Sequence, residues 1–255
     1  MTTMIEKTGR AAIVTGSSRG IGNSIATGLA SAGYNVVISS RRADACKAAA
    51  DRINEAQGRP VAFPFSANIA EKQEIEDLVT VTAETFGRLD CLICNAATSS
   101  YFGPLRDAPD TDFEELLKNN VLSAHWLTLF SATHMERNGG GSIIYIASIG
   151  AIRAYDYIGA YSSSKAAMLQ LTRNYARELG PINIRVNAIS PGVIETDFSR
   201  STLARPEIRA EYEGATFLGR LGVPGDIAPM AVFLAGAGAS FITGQNIVID
   251  GGASV

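Results

Sequence analysis

Short apolar runs alternate along this chain with segments of helical period, and that alternation restricts the fold more than any single motif. The apolar runs fall at residues 11–15, 35–39, 61–65, 91–94, 142–147, 185–189 and 247–249 and read as strands. Helix-period segments fill the gaps at 21–32, 43–57, 71–86, 112–135, 160–179 and 224–235. Strand–helix–strand alternation predicts parallel pairing through right-handed crossovers. The expected fold is α/β: one doubly wound domain over 1–255, with about seven parallel strands and helices on both faces. No Pro/Ser-rich linker or charge block divides it. One segment breaks the rhythm: residues 190–219 are charged and rich in Thr, Ser and Arg. A loop that long in a compact domain is expected to be a substrate lid.

Composition removes several classes of function. The net charge is −3 with no basic block, so nucleic acid is not expected as a partner. The opening Met1–Lys7 lacks the apolar region of a signal peptide, and no continuous apolar run reaches spanning length. The expectation is a soluble cytoplasmic protein away from membranes. Cys91 and Cys94 have the spacing of a redox or zinc pair, but three apart on a strand they face opposite sides. Cys46, His125 and His134 offer no second ligand pair, so buried, inert thiols and no metal site are expected.

Glycine is abundant, 25 of 255 residues, and three of these sit where the first strand meets the first helix. The turn reads Thr15-Gly16-Ser17-Ser18-Arg19-Gly20-Ile21-Gly22. Glycines there let a backbone approach a pyrophosphate seated on the positive helix N-terminus. The spacing is G-x-x-x-G-x-G, unlike the G-x-G-x-x-G fingerprint. At the tip of the second strand an acidic residue would receive the ribose 2′-hydroxyl of NAD. Here the tip reads Ser39-Ser40-Arg41-Arg42, with no carboxylate before Asp44. Arg41, with Arg19 from the glycine turn, matches the 2′-phosphate of NADP(H) better.

A second cluster carries reaction chemistry. Ser148 closes an apolar strand at the end where such sheets bind ligands. Tyr161 and Lys165 are four apart and share one helix face. A phenol near pKa 10 is a poor acid–base group at neutral pH, and a nearby ammonium favours the phenolate.

Taken in order, these motifs resemble the short-chain dehydrogenase/reductase family, in its single-domain branch, over essentially the whole chain. The matching residues are Thr15-Gly16-x-x-x-Gly20-x-Gly22, Asn95-Ala96-Ala97, Asn120-Val121, Ser148, Tyr161-x-x-x-Lys165 and Pro191-Gly192-Val193-Ile194-x-Thr196. The ending Thr243-Gly244-Gln245…Asp250-Gly251-Gly252 fits as well. The resemblance implies a single Rossmann domain and a tetrad of Asn120, Ser148, Tyr161 and Lys165. In it, Tyr161 exchanges a proton with the substrate oxygen, Lys165 also holds the nicotinamide ribose, and Asn120 supports a water on the proton path. Cofactor contacts are expected from Gly16, Ser18, Arg19, Gly20, Ile21, Gly22, Arg41, Asn68, Ile69, Asn95, Ala96, Pro191, Gly192, Val193, Ile194 and Thr196. Ala97 stands where the family often has Gly, and Asn68 where many members have Asp beside the adenine.

The function implied is hydride transfer between NADP(H) and a secondary alcohol or its ketone. NAD(H)-dependent alcohol or hydroxysteroid oxidation is the alternative; a non-catalytic dinucleotide sensor, a dehydratase or an epimerase are further ones. The small-molecule substrate is not specified by sequence. Helix 112–135 carries more apolar surface than one buried face requires. By resemblance, a homotetramer is expected through the helices that follow strands four and five.

Overall fold

The computed structural model describes residues 9–255, so the reading made on Met1–Lys7 lies outside the described residues. Seven strands form one sheet: β1 (Arg10–Thr15), β2 (Tyr34–Ser40), β3 (Ala62–Ser66), β4 (Cys91–Cys94), β5 (Gly141–Ile146), β6 (Ile184–Pro191) and β7 (Asn246–Ile249). Their spatial order is β3-β2-β1-β4-β5-β6-β7, and every pairing is parallel. The order reverses between β1 and β4. Crossovers leave these two neighbours in opposite directions, which opens a crevice at their carboxyl ends.

Side-chain alternation splits the core into two layers. Ala12 and Val14 of β1 and Cys91 and Ile93 of β4 face α1 (Gly20–Ser31), α2 (Ala43–Gln57) and α9 (Pro224–Ala235). Ala11, Ile13, Leu92 and Cys94 face α3 (Lys72–Phe86), α5 (Ser123–Arg137) and α6 (Gly159–Leu179) on the other side. Cys91 and Cys94 are therefore buried in different layers, and burial pushes both thiols up, Cys91 to about 12. Cys46 is buried as well. Pro64, which cannot donate to a ladder, lies in β3 at the sheet edge where that omission is tolerated.

Two expectations need correction. The helix expected at 112–135 is present but is not α throughout: α4 (Asp110–Leu117) passes into a π-helical turn at Lys118–Leu122 before α5 begins. Bulges of this kind gather at functional sites, and this one holds Asn120. The segment 190–219 is not one loop. Ser190 and Pro191 complete β6, and the segment then folds α7 (Arg200–Leu203) and α8 (Pro206–Gly214). Neither short helix buries a residue. Among the described residues no helix is long and apolar enough to cross a membrane.

Candidate active site

The glycine turn lies at the crevice and is braced from both neighbouring strands. Gly16 and Gly20 take left-handed φ values of 65° and 61°. A Cβ on Gly22 would meet the Asn95 amide nitrogen and the Gly16 carbonyl, both at 2.5 Å, so only glycine fits. From β4, the Asn95 side chain donates to the carbonyls of Thr15 (2.9 Å) and Gly16 (3.2 Å). The Thr15 hydroxyl accepts the amides of Asn95 and Ala96, each at 3.1 Å. From β2, Ser39 accepts the Ser17 amide at 3.1 Å and donates its own to the Ser17 hydroxyl at 3.0 Å. Asn95 thus shapes the turn with its side chain. The sequence singled it out as a contact residue and did not point to Thr15 as its partner.

The first turn of α1 has no side-chain cap and no acidic residue. Its free amides and positive dipole end favour an anion. Together with the space that glycine leaves, this fits the pyrophosphate of a dinucleotide. Ser18 and Ile21 border the turn, and Ile21 packs on the core behind it. Thr196 comes to the same place, its methyl 3.5 Å from a Cβ built on Gly20.

Arg41 is exposed just past the β2 tip, beside the Ser17–Ser39 contact. Asp44, the first carboxylate after the tip, is held by Arg42. Arg19 pairs with Asp197 at 3.2 Å, so in this structure it faces the 190–219 segment. Asn68 accepts the Ala70 amide through its side chain at 3.2 Å, and its own amide donates to Glu74 at 2.8 Å. Ile69 next to it packs against the core.

Pro191 and Gly192 run against the C-terminal segment. A Cβ on Gly192 would approach the Asp250 Cα to 2.9 Å. Val193 accepts the Gly222 amide at 3.0 Å, and Glu195 donates to the Gly222 carbonyl at 2.9 Å. This clamp buries the Ile194 side chain in the core.

The four tetrad residues converge beyond the carboxyl end of β5. Ser148 follows the strand in extended conformation and accepts the Gly150 amide at 3.1 Å. Lys165 is 2% exposed; its ammonium donates to the carbonyl of Ile146 at 2.8 Å and lies 5.6 Å from the Tyr161 ring centre. Burial lowers its pKa from 10.5 to about 8. Burial raises the Tyr161 phenol to about 12, while a hydrogen bond with Ser148 pulls the other way. Burial, the larger cause, favours the protonated phenol, and the ammonium expected to favour phenolate stands beside the ring. Asn120 is held on every polar atom of its side chain. Its carbonyl accepts the Thr98 amide at 2.9 Å, and its NH2 donates to the Thr98 carbonyl (3.1 Å) and the Ser164 hydroxyl (2.9 Å). Thr98 and Ser164 escaped the sequence reading, although Ser164 lies inside the Tyr-x-x-x-Lys motif. Phe198 tilts over Tyr161 with ring centres 6.2 Å apart.

Comparison with known proteins places this arrangement. The family model described as Enoyl-(Acyl carrier protein) reductase matches residues 16–254. The chain is similar to the 7alpha-hydroxysteroid dehydrogenase of Escherichia coli (strain K12), 40% identical over 245 residues that cover 96% of this chain and 94% of that one. It is similar in structure to a short-chain type dehydrogenase/reductase from Mycobacterium ulcerans: TM-score 0.93, 33% identity, 96% of this chain and 90% of the other covered. A 7 alpha-hydroxysteroid dehydrogenase complexed with NADH and 7-oxo glycochenodeoxycholic acid has a TM-score of 0.91 and 39% identity, over 96% of this chain and 94% of the other. Likeness of this extent, in sequence and in fold at once, makes the chain a member of the short-chain dehydrogenase/reductase family of oxidoreductases.

Proposed function

We propose that this protein transfers a hydride between NADP(H) and a secondary alcohol or its ketone, with Tyr161 as general acid–base. The observation that carries the reading is the joint placement of Ser148, Tyr161 and buried Lys165 beside the crevice of the glycine turn. A bound nicotinamide supplies or accepts the hydride. Gly16, Ser18, Gly20 and Gly22 hold the pyrophosphate, Asn68 and Ile69 flank the adenine, and Ala96 and Pro191–Thr196 border the nicotinamide end.

Burial favours the protonated phenol of Tyr161, the form that gives its proton to the substrate oxygen when a ketone is reduced. Ser148 donates a hydrogen bond to the same oxygen and orients it. Lys165 keeps one donor on the Ile146 carbonyl and directs another to the Met168 sulfur at 3.5 Å; what these leave serves the ribose and the phenol. Both amide protons of the Asn120 side chain are engaged, so a water that it supports is held by an acceptor, the main-chain carbonyl or the second lone pair of Oδ1. The choice of NADP(H) rests on Arg41 and on Asp44 being held by Arg42.

NAD(H) with a hydroxysteroid is the second reading. It is favoured by the engagement of Arg19 with Asp197 and by the NADH and oxo-steroid named with one relative. The reading includes a cytoplasmic location and a homotetramer. Leu117, Leu122 and Leu129 stay exposed around α4 and α5, which supports association; a monomeric mass by light scattering would remove it. The deciding experiment is turnover of a ketone and alcohol panel by purified protein with NADPH and NADH. Oxidation or reduction with NADPH favoured in kcat/KM is expected. Preference for NADH would install the second reading, and product formation without net nicotinamide consumption would replace both with isomerase or dehydratase chemistry.

A further inference from the structure

Four residues before Tyr161, the backbone takes a conformation that L-residues avoid. Tyr157 has φ 63°; the one other non-glycine with positive φ among the described residues is Asn183, a type that tolerates it. Such a conformation persists where surrounding contacts over-determine it, and it gathers at ligand clamps. Here the contacts come from the segment between β4 and α4. Gly103 donates its amide to the Tyr157 carbonyl at 2.9 Å. Leu105 packs so closely on Gly159 that a Cβ there would meet it at 3.1 Å. The Phe102 ring stacks on Tyr157 with centres 5.6 Å apart and planes 30° apart.

This stack is fixed in place yet not buried: Phe102 is 63% exposed and Tyr157 53%. A fixed aromatic surface left open at the start of the helix that carries Tyr161 is a wall waiting for a partner. Phe198, 58% exposed, tilts over Tyr161 from the other segment. We propose that Phe102 and Tyr157 form the specificity wall of the substrate site. They select ketones with a rigid, flat, apolar ring body over short aliphatic or polyhydroxylated ones. Offset stacking rewards a flat body, and apolar faces give sugar hydroxyls no partner. The inference rests on the reading that Tyr161 acts on a ketone.

The test uses Tyr157→Gly, which keeps the positive φ and removes the ring, and Phe102→Ala, with β-tetralone and butanone as substrates. Loss of one stacking ring should lower the tetralone-to-butanone ratio of kcat/KM about tenfold, carried by KM for β-tetralone. Thermal stability of Tyr157→Gly should not fall. An unchanged ratio in both folded variants overturns the wall. So does an equal loss on both ketones, which marks a merely structural stack. If wild type turns over neither ketone with either nicotinamide, the ketone reading fails, and calorimetric binding of β-tetralone then decides the wall alone. Binding weakened in both variants supports it; equal binding, or none to wild type, overturns it.

Discussion

The glycine turn and the 190–219 segment face each other across one crevice but are built in opposite ways. The turn is pinned from β2 and β4 by hydrogen bonds through Thr15, Ser17, Ser39 and Asn95. The opposing segment has two helices without a buried residue, and exposed Phe198, Phe217 and Leu218. Its ties include the surface ion pairs Arg19–Asp197, Arg200–Asp197 and Arg209–Glu195. Such pairs contribute about 0–1 kcal/mol each. On the function proposed above, the braced turn is a site finished in advance for an unchanging cofactor, and the loosely tied segment gains order from a variable substrate.

The sharpest break in this comparison comes from Tyr161→Phe, which removes one oxygen between the two regions. Turnover should fall about 10²–10⁴-fold, the usual contribution of a general acid–base, while nicotinamide affinity stays near wild type. A folded variant that keeps more than a tenth of kcat would take Tyr161 out of the chemistry. Hydrogen exchange probes the contrast itself. Amides of 200–214 should exchange on the order of a hundredfold faster than those of β1 and α1 in the free protein, and slow once nicotinamide and substrate analogue are bound. Slow exchange of both regions in the free state would make the segment a structural wrap.

Arg41→Asp tests the finished side. A charge-assisted contact to a 2′-phosphate contributes about 1.5–3 kcal/mol, so the preference for NADPH over NADH should drop roughly ten- to a hundredfold, more at low salt. An unaltered preference would leave Arg41 as solvated surface. The smallest effect concerns stability. Lys165 is lowered from 10.5 to about 8, so burying its charge costs about 3 kcal/mol below pH 8, a cost that fades as pH rises from 8 to 10.5. Lys165→Met forfeits the bond to Ile146. It should still gain about 2 kcal/mol at pH 7, or roughly 4–8 °C in Tm, and lose that gain by pH 10. A lower Tm at pH 7, by scanning calorimetry, would show that the ammonium stabilises the fold.

Strands and long helices were legible because each rests on local apolar pattern; β4 at Cys91–Cys94 and α2 at Ala43–Gln57 coincide with the expected ranges. The π turn at Asn120 was not legible, since its cause lies outside the helix. Thr98 and Ser164, 22 and 44 residues away, capture the side chain. Asn95 illustrates the same limit: a motif reveals that a residue matters, but its bonds to Thr15 belong to the fold. The left-handed Tyr157 has no local signal, because Asp-Tyr-Ile favours nothing of the kind. Pro206 at the start of α8 was a readable helix start inside a segment otherwise taken as loop.

The bracing of the glycine turn also orders events during synthesis. β1, β2 and β3 can pair as soon as they leave the ribosome, since each new strand adds beside one already made. The Thr15 hydroxyl meets Asn95 only across a separation of 80 residues, which at ~5–20 residues per second is a wait of roughly 4–16 s. Until then Gly16 and Gly22 have no amide packed against them. The turn proposed to cradle a dinucleotide is thus assembled only once β4 has been made, and a nascent chain halted before β4 should fold its first three strands without gaining affinity for a dinucleotide.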